Sequence, residues 1–369
     1  MHEVVRQAAA LVAELSEGRT EEWDRSTEIP REVVRELGAK GVLCADVPEA
    51  FGGLGLSNLD HGELIAATGE ACSSLRSVMT SQGIAAWTVT RFGSTAQQQE
   101  FLSRLTSGET AAVAFSEPGA GSDLSAVATE ITRDGDSIVL DGEKTWVTGA
   151  SYASLLVVLG QYGDGAALAV VPVESPGVGV ERISDPLGCR AAGHSMVRLD
   201  RVRLPATHLL GGAGMPAPML VTSPLTHGRI SVAWGCVGIL RACLRAVVRH
   251  SAQRNTFGVP LAEHQLVRRH IAELHTAEKT SALACEQASR DWDARDPRHA
   301  AAAVLAKHTA AGSAARGAAS AVQVLASAGA ANSHVVARAY RDTKLMEVIE
   351  GSNEISQLLL ADEAMTVWA

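Results

Sequence analysis

The chain is poor in aromatic residues: Phe, Trp and Tyr make up 4% of its 369 residues, although 46% are hydrophobic. It also lacks any run of eighteen uninterrupted apolar residues, so no membrane span is indicated. A basic excess is missing as well. The net charge of −9 argues against a general nucleic-acid binder. The six cysteines (44, 72, 189, 236, 243 and 285) are scattered, with no C-x-x-C. Neither a disulfide framework nor a thiolate metal site is expected, and a reducing cytoplasm suits them. The histidines form no H-E-x-x-H, and His264, His270 and His275 lack zinc-site spacing, so they read as helix-surface or capping residues and no metal is expected. The opening "MHEVVRQAAALVAELSEG" carries acids among its apolar positions, which fits an amphipathic helix and not a signal peptide.

What is present changes texture twice. Residues 1 to about 110 read as helices separated by Gly-rich turns such as "FGGLGLSN". That turn lacks G-x-G-x-x-G and follows no clear strand, so it is no dinucleotide loop. From 111 to about 215 the pattern becomes strands. "EITRDGDSIVLDGEKTWVTG" places two D-G dipeptides between β-rich runs, a hairpin signal. "LLVVLGQ" and "ALAVVPV" read as short buried strands, and "SMVRLDRVRLP" alternates with period two. From about 216 to 369 the chain returns to long Ala-rich helices with apolar residues at helical spacing, suited to a closely packed bundle. The expected class is α+β: a helical domain (1–110), a β-domain (111–215) and a C-terminal four-helix bundle (216–369).

Three stretches bear on chemistry. In "VIEGSNEIS" the carboxylate of Glu350 sits at the edge of an apolar run. It suits either a helix start capped by Ser352 or Asn353, or a base held in a dry pocket. In "AFSEPGAGSDLSAV" a strand runs into a turn with two glycines, which permit close backbone approach and an anion nest. In "KTWVTGA" strand alternation would point Trp146 and Thr148 the same way, a flat surface beside a hydroxyl that suits a planar heteroaromatic cofactor.

Together with "RNTFGVPLAEHQ" and "QVLASAGA", these stretches resemble the acyl-CoA dehydrogenases, in family order and over nearly the whole chain. The resemblance implies FAD held between the β-domain and the bundle, with its adenine end reaching a neighbouring subunit of a dimer or tetramer. It implies Glu350 as the base that removes the thioester α-proton, while the flavin takes the β-hydride. It implies Phe115, Ser116, Gly121 and Ser122 against the flavin, Ser122 also near the thioester, and Trp146 and Thr148 on the isoalloxazine ring. Arg254 and Phe257 would meet the partner's FAD, Gln323 its adenosine-diphosphate portion, and Ser352 and Glu354 the cofactor beyond the base. Arg229 would lie near the active site, with Ile349 and Gly351 beside the base on the acyl side. Val348-Ile349 would keep water from the carboxylate and raise its pKa. Four positions depart from the pattern: Ala326-Ser327 for Gly-Gly, Glu354 for Gln, and Ile349 for Tyr.

"CSSLRSVMTSQG" matches the helix flooring the acyl pocket, with Arg76 and Ser77 where fatty-acyl members are neutral. A buried guanidinium wants an anion, from a short acidic or polar acyl group or from a protein acid such as Glu70. A closer resemblance is to the acyl-carrier-protein dehydrogenases of hydroxymalonyl and methoxymalonyl extender-unit synthesis for polyketides. It implies a glyceryl-type unit on a carrier protein, and an electron acceptor for the reduced flavin. A catabolic short-chain or glutaryl-like acyl-CoA dehydrogenase and a flavin monooxygenase on the same fold are the alternatives. Arg241, Arg245 and Arg249 recur every four residues and form one stripe, either a solvated face or a dock for an acidic carrier protein.

Overall fold

A computed structural model describes residues 3–369. Six helices come first: α1 (Glu3–Ser16), α2 (Thr20–Ser26), α3 (Arg31–Ala39), α4 (Asn58–Ala71), α5 (Ser73–Phe92) and α6 (Thr95–Thr106). Their starts follow local chemistry. Ser57 caps α4 by accepting from Asp60 N, and Ser94 with Gln97 forms a capping box on α6.

Then the period switches to two. Strands β1 (Ala111–Ala114), β2 (Glu130–Asp134), β3 (Ser137–Val147), β4 (Leu155–Tyr162), β5 (Gly165–Pro172), β6 (Val178–Arg182) and β7 (Ser195–Pro205) form one sheet. Its order is β1-β4-β2-β3-β7-β6, with β5 on β4, and β1 runs parallel to β4. Only the first D-G dipeptide is a hairpin turn: Gly135, at φ 63°, joins β2 to β3. The second lies inside β3, where the register slips between Leu140 and Gly142. Gly142 is required there, since a Cβ would come 2.5 Å from Thr129 Oγ1.

The remainder is helical: α7 (Ala217–Gln253), the β8 (Asn255–Thr256) and β9 (Val259–Pro260) hairpin, α8 (Gln265–Asp293), α9 (His299–Leu325), α10 (Val335–Met346) and α11 (Asn353–Trp368). Helices α7, α8 and α9 pack on one another, α10 lies on α7 and α9, and α11 lies on α9. By length and composition α7 could cross a membrane, but 78% of its apolar window is buried inside the protein.

The N-terminal helices and the bundle share a core, because α4 and α5 pack directly on α7. Close approach needs small residues: a Cβ at Gly62 would lie 2.1 Å from Trp234 Nε1, and one at Gly238 2.1 Å from Ala66 O. Two further cores cover the two faces of the sheet, one of them continuous with α5 and α6. All six cysteines are free and buried. Burial pushes the thiols of Cys44, Cys189 and Cys243 up to about 12 and those of Cys72 and Cys236 up to about 11.

Candidate active site

Between α10 and α11 the chain turns through Glu350 at φ 54° and Gly351 at φ 89°. A non-glycine residue held there costs about 1–3 kcal/mol and persists only if its surroundings fix it. Two cations do so, Lys307 buried and Arg229 half-buried. Lys307 Nζ, on α9, donates to Gly351 O at 2.7 Å and Glu347 O at 3.4 Å. Arg229 Nε, on α7, donates to Glu350 O at 3.1 Å. Ser352 caps α11, accepting from Ile355 N at 3.4 Å. The stretch "VIEGSNEIS" is therefore both things at once: Ser352 starts the helix, and Glu350 stands before it.

The Glu350 carboxylate faces inward, and its Oε2 is buried without a hydrogen-bond partner. Gly228 makes room for it, since a Cβ there would lie 2.6 Å from Glu350 Oε2 and 2.6 Å from Ile84 Cδ1. Burial raises the Glu350 pKa above its ordinary value, although Arg229, Lys307 and Arg76 pull it down. Burial likewise lowers Lys307, to about 8. Among the described residues no acceptor takes the Glu350 N–H. The dry approach expected from Val348-Ile349 is half wrong. Val348 is 56% exposed, and only Ile349 packs on the core.

On the sheet side, Phe115 and Ser116 follow β1, and Glu117 and Ala120 close a tight turn by exchanging backbone hydrogen bonds of 2.9 and 3.1 Å. Gly119 and Gly121 have open space where a Cβ would go, so nothing within the chain demands glycine there. Close approach by a bound group does. Ser122 is exposed beside them. The sequence reading missed what anchors the turn. Glu117 Oε1 takes Lys144 Nζ at 2.6 Å and Thr129 N at 2.9 Å, and Lys144 Nζ also reaches Phe115 O at 3.3 Å.

Trp146 and Thr148 converge, but not by alternation. A register shift between Lys144 and Val147 puts Trp146 at φ 53°, and Thr148 lies past the end of β3. They meet on a residue the sequence did not flag, His194. Thr148 Oγ1 is 3.1 Å from His194 Nδ1, and the Trp146 ring meets the imidazole edge-on at 5.6 Å. His194 is buried with Nε2 unpartnered, and burial, with Arg76 and Arg182, lowers it to about 4, so it is neutral at physiological pH. Trp146 remains 51% exposed, an indole face open for a flat group. The open glycines, this face and the unpartnered polar atoms fit a flavin.

Arg76 on α5 is fully buried, and Gly235 gives it space: a Cβ there would lie 2.6 Å from Arg76 Cδ. Its Nη1 donates to Thr80 Oγ1 at 3.3 Å, its Nη2 lies 2.9 Å from Met346 Sδ, and its Nε has no partner. No carboxylate among the described residues pairs with it. Glu70 is taken by Arg245 at 2.5 Å. Ser77 spends its proton on Ser73 O at 3.0 Å, one turn back along α5, so it is not a free donor to a ligand.

The remaining expected residues lie elsewhere within one chain. Arg254 precedes the β8–β9 hairpin, and Phe257 lies in its turn, 98% exposed. Gln323 and Glu354 are exposed on α9 and α11. No hydrogen bond or ring contact among the described residues joins Arg254, Phe257 or Gln323 to the Glu350 loop. The arginine stripe is largely spoken for. Arg241 bonds Glu278 at 2.9 Å and Glu63 at 3.2 Å, and Arg245 holds Glu70.

Three family models cover the chain: acyl-CoA dehydrogenase N-terminal domain (1–109), middle domain (112–202) and C-terminal domain (212–365). The chain belongs to the acyl-CoA dehydrogenase family. Members are FAD-dependent oxidoreductases. The mouse mitochondrial short-chain specific acyl-CoA dehydrogenase is 32% identical over 347 residues, 92% of this chain and 83% of that protein. Among solved structures, FkbI, described as serving biosynthesis of the methoxymalonyl extender unit of a polyketide immunosuppressant, is 55% identical, with TM-score 0.93 over 97% of this chain and 99% of its own. A Mycobacterium smegmatis glutaryl-CoA dehydrogenase in complex with FADH2 is 26% identical, with TM-score 0.92 over 99% of this chain and 95% of its own.

Proposed function

We propose that this acyl-CoA dehydrogenase oxidises a short polar acyl group, a glyceryl-type unit on the way to hydroxymalonyl, carried as a thioester on an acyl-carrier protein. Arg76 carries the reading. A guanidinium with no protein carboxylate, buried at an unmade hydrogen bond, costs several kcal/mol unless a ligand completes it. A distal carboxylate, or the hydroxyls of a three-carbon acyl group, would do so, whereas a fatty chain would leave it stranded. The 55% identity to FkbI supports the carrier-bound, extender-unit setting.

In this mechanism Glu350 takes the α-proton. Its unpartnered Oε2 is the free acceptor, and Gly228 leaves the space in front of it. The Glu350 N–H donates to the thioester oxygen as negative charge gathers there. Bound FAD would supply the acceptor for the β-hydrogen as hydride. Phe115, Ser116, Gly121, Ser122, Trp146 and Thr148 would hold its flavin, and His194 fixes the Thr148 hydroxyl. Arg254, Phe257, Gln323, Ser352 and Glu354 are assigned to the rest of the cofactor, the first three across a boundary between two copies. Arg229 positions the base through its carbonyl, and Ile349 and Gly351 border the acyl group. A glyceryl thioester losing these two hydrogens gives an enediol, which tautomerises to the aldehyde. Domain limits of 1–110, 111–215 and 216–369, a cytoplasmic setting and an electron acceptor for the reduced flavin belong to the same proposal.

A catabolic enzyme acting on free CoA esters is the second reading, favoured by the neutralisation of Arg241 and Arg245. Anaerobic flavin bleaching separates the two. Carrier-bound thioesters of a hydroxylated three-carbon acyl group, or of a longer acyl group ending in a carboxylate, are expected to bleach the flavin faster than their CoA forms. Equal rates with CoA esters would move the catabolic reading ahead, and preferential bleaching by butyryl thioesters would sink the role given to Arg76.

A further inference from the structure

Behind the active site lies a second polar cluster that the dehydrogenation does not use. Asp46 follows the short turn Val42–Cys44, His61 lies on α4 and His227 on α7. His227 Nε2 is 2.8 Å from Asp46 Oδ2, and His61 Nδ1 is 3.6 Å from Asp46 Oδ1. The second distance is too long for a hydrogen bond, and Asp46 Oδ1 makes none. The three donor atoms all lie within 4.8 Å of one another. The histidine side chains are only 2% and 1% exposed and that of Asp46 14%, so the cluster is closed except on the carboxylate side. Trp87 stacks on the His227 ring and Trp292 meets its edge, which fixes the imidazole plane.

An Asp–His hydrogen bond explains one of these approaches and leaves the other two groups facing each other for no return. A cation explains all three. Zinc takes imidazole nitrogen and carboxylate oxygen at about 2.0–2.2 Å, which sets neighbouring ligand atoms of a tetrahedron roughly 3.3 Å apart. The separations found, 2.8 Å from His227 Nε2 to Asp46 Oδ2 and 3.6 Å from His61 Nδ1 to Asp46 Oδ1, lie on either side of that spacing, one to each carboxylate oxygen.

We propose that Asp46, His61 and His227 form a binding site for a divalent transition-metal ion of the zinc class, with water as the fourth ligand on the Asp46 side. The site ties the N-terminal helices to α7 one residue before Gly228, which seats the catalytic carboxylate. Its role is that of a clamp, and it touches neither substrate nor flavin. The outer ring nitrogens, His61 Nε2 and His227 Nδ1, have no protein acceptor. That second shell is thin, so the ion is expected to yield to a chelator.

The test uses the FAD-loaded full chain, stripped with EDTA, desalted and titrated with Co²⁺ or Zn²⁺. The wild type is expected to retain about one equivalent per chain after gel filtration, to show cobalt d–d bands to the red of the flavin, and to melt at higher temperature with metal. Asp46→Asn and His61→Gln, each checked for intact flavin absorbance and cooperative melting, are expected to lose all three responses. Wild-type protein that retains no cobalt, or folded variants that retain as much as the wild type, would overturn the site. Neither result depends on turnover.

Discussion

At the scale of single residues, the decisive observation is an acid with nothing to hold. Glu350 is strained in φ, and its Oε2 is buried and unpartnered, a costly arrangement for a residue that only shaped a turn. Glu350→Gln is expected to keep the fold and the bound flavin while substrate-dependent bleaching falls by about 10²–10⁴. A variant bleaching at near wild-type rate would place the base elsewhere. The pH response follows from the sign of the shift. Burial raises the Glu350 pKa, so its ionised, proton-accepting form is lost as pH falls, from a higher pH than an ordinary glutamate would set. In stability the sign is opposite. A carboxyl whose pKa is raised by folding contributes stability only while protonated and loses it as pH rises through that value, so Glu350→Gln should melt no lower than wild type at neutral pH. Arg76 was visible in the sequence as a charge out of place. His194 was not, because a lone histidine in "AAGHS" carries no spacing signal, and only the fold brings it beneath Thr148.

At the scale of elements, much of the architecture was legible because period and composition change together. The switch from helical spacing to alternation and back marks the β-domain, and β4, β5 and β7 lie where the apolar and alternating runs put them. Legibility failed where a strand breaks its own period. The second D-G dipeptide and the Lys144–Val147 segment are register shifts, and no periodicity encodes which residue a bulge will swing outward. The Asp46–His61–His227 cluster failed for a different reason, since its members are far apart in sequence and meet only through packing of α4 on α7. That same packing gives a test on α7. Gly228→Ala should strengthen the helix by up to about 1 kcal/mol in intrinsic preference. Yet its Cβ would displace the carboxylate, so bleaching should slow sharply in a protein that still melts cooperatively. An unchanged rate would mean that Glu350 works from another position. At the end of α9, Ala326 keeps a φ of 51° and ψ of −128°, a conformation natural to glycine. Ala326→Gly is expected to raise the melting temperature by relieving about 1 kcal/mol or more of strain, and a lower melting temperature would contradict it.

At the scale of the whole molecule, large apolar side chains stand bare on the C-terminal elements. Phe257, Leu266, Leu283, Leu358, Met365 and Trp368 are 98, 73, 65, 64, 74 and 87% exposed, all on the β8–β9 hairpin, α8 and α11. Exposure of that kind is expected of a chain that assembles with further copies. Light scattering of the flavin-loaded protein is expected to give at least a dimer. A monomer would leave Arg254, Phe257 and Gln323 without the partner copy their assignment requires. The six cysteines carry a different consequence. Each is inside, and burial holds its thiol far from the thiolate that reacts. In the native state Ellman's reagent and maleimides should find almost nothing, whereas the denatured chain should consume six equivalents. The rate of thiol labelling thus becomes a clock for opening of the fold, with Cys236 and Cys243 timing the bundle and Cys44 the N-terminal helices. It also leaves a silent background, on which a single cysteine introduced at an exposed position could carry a probe without competition from the native six.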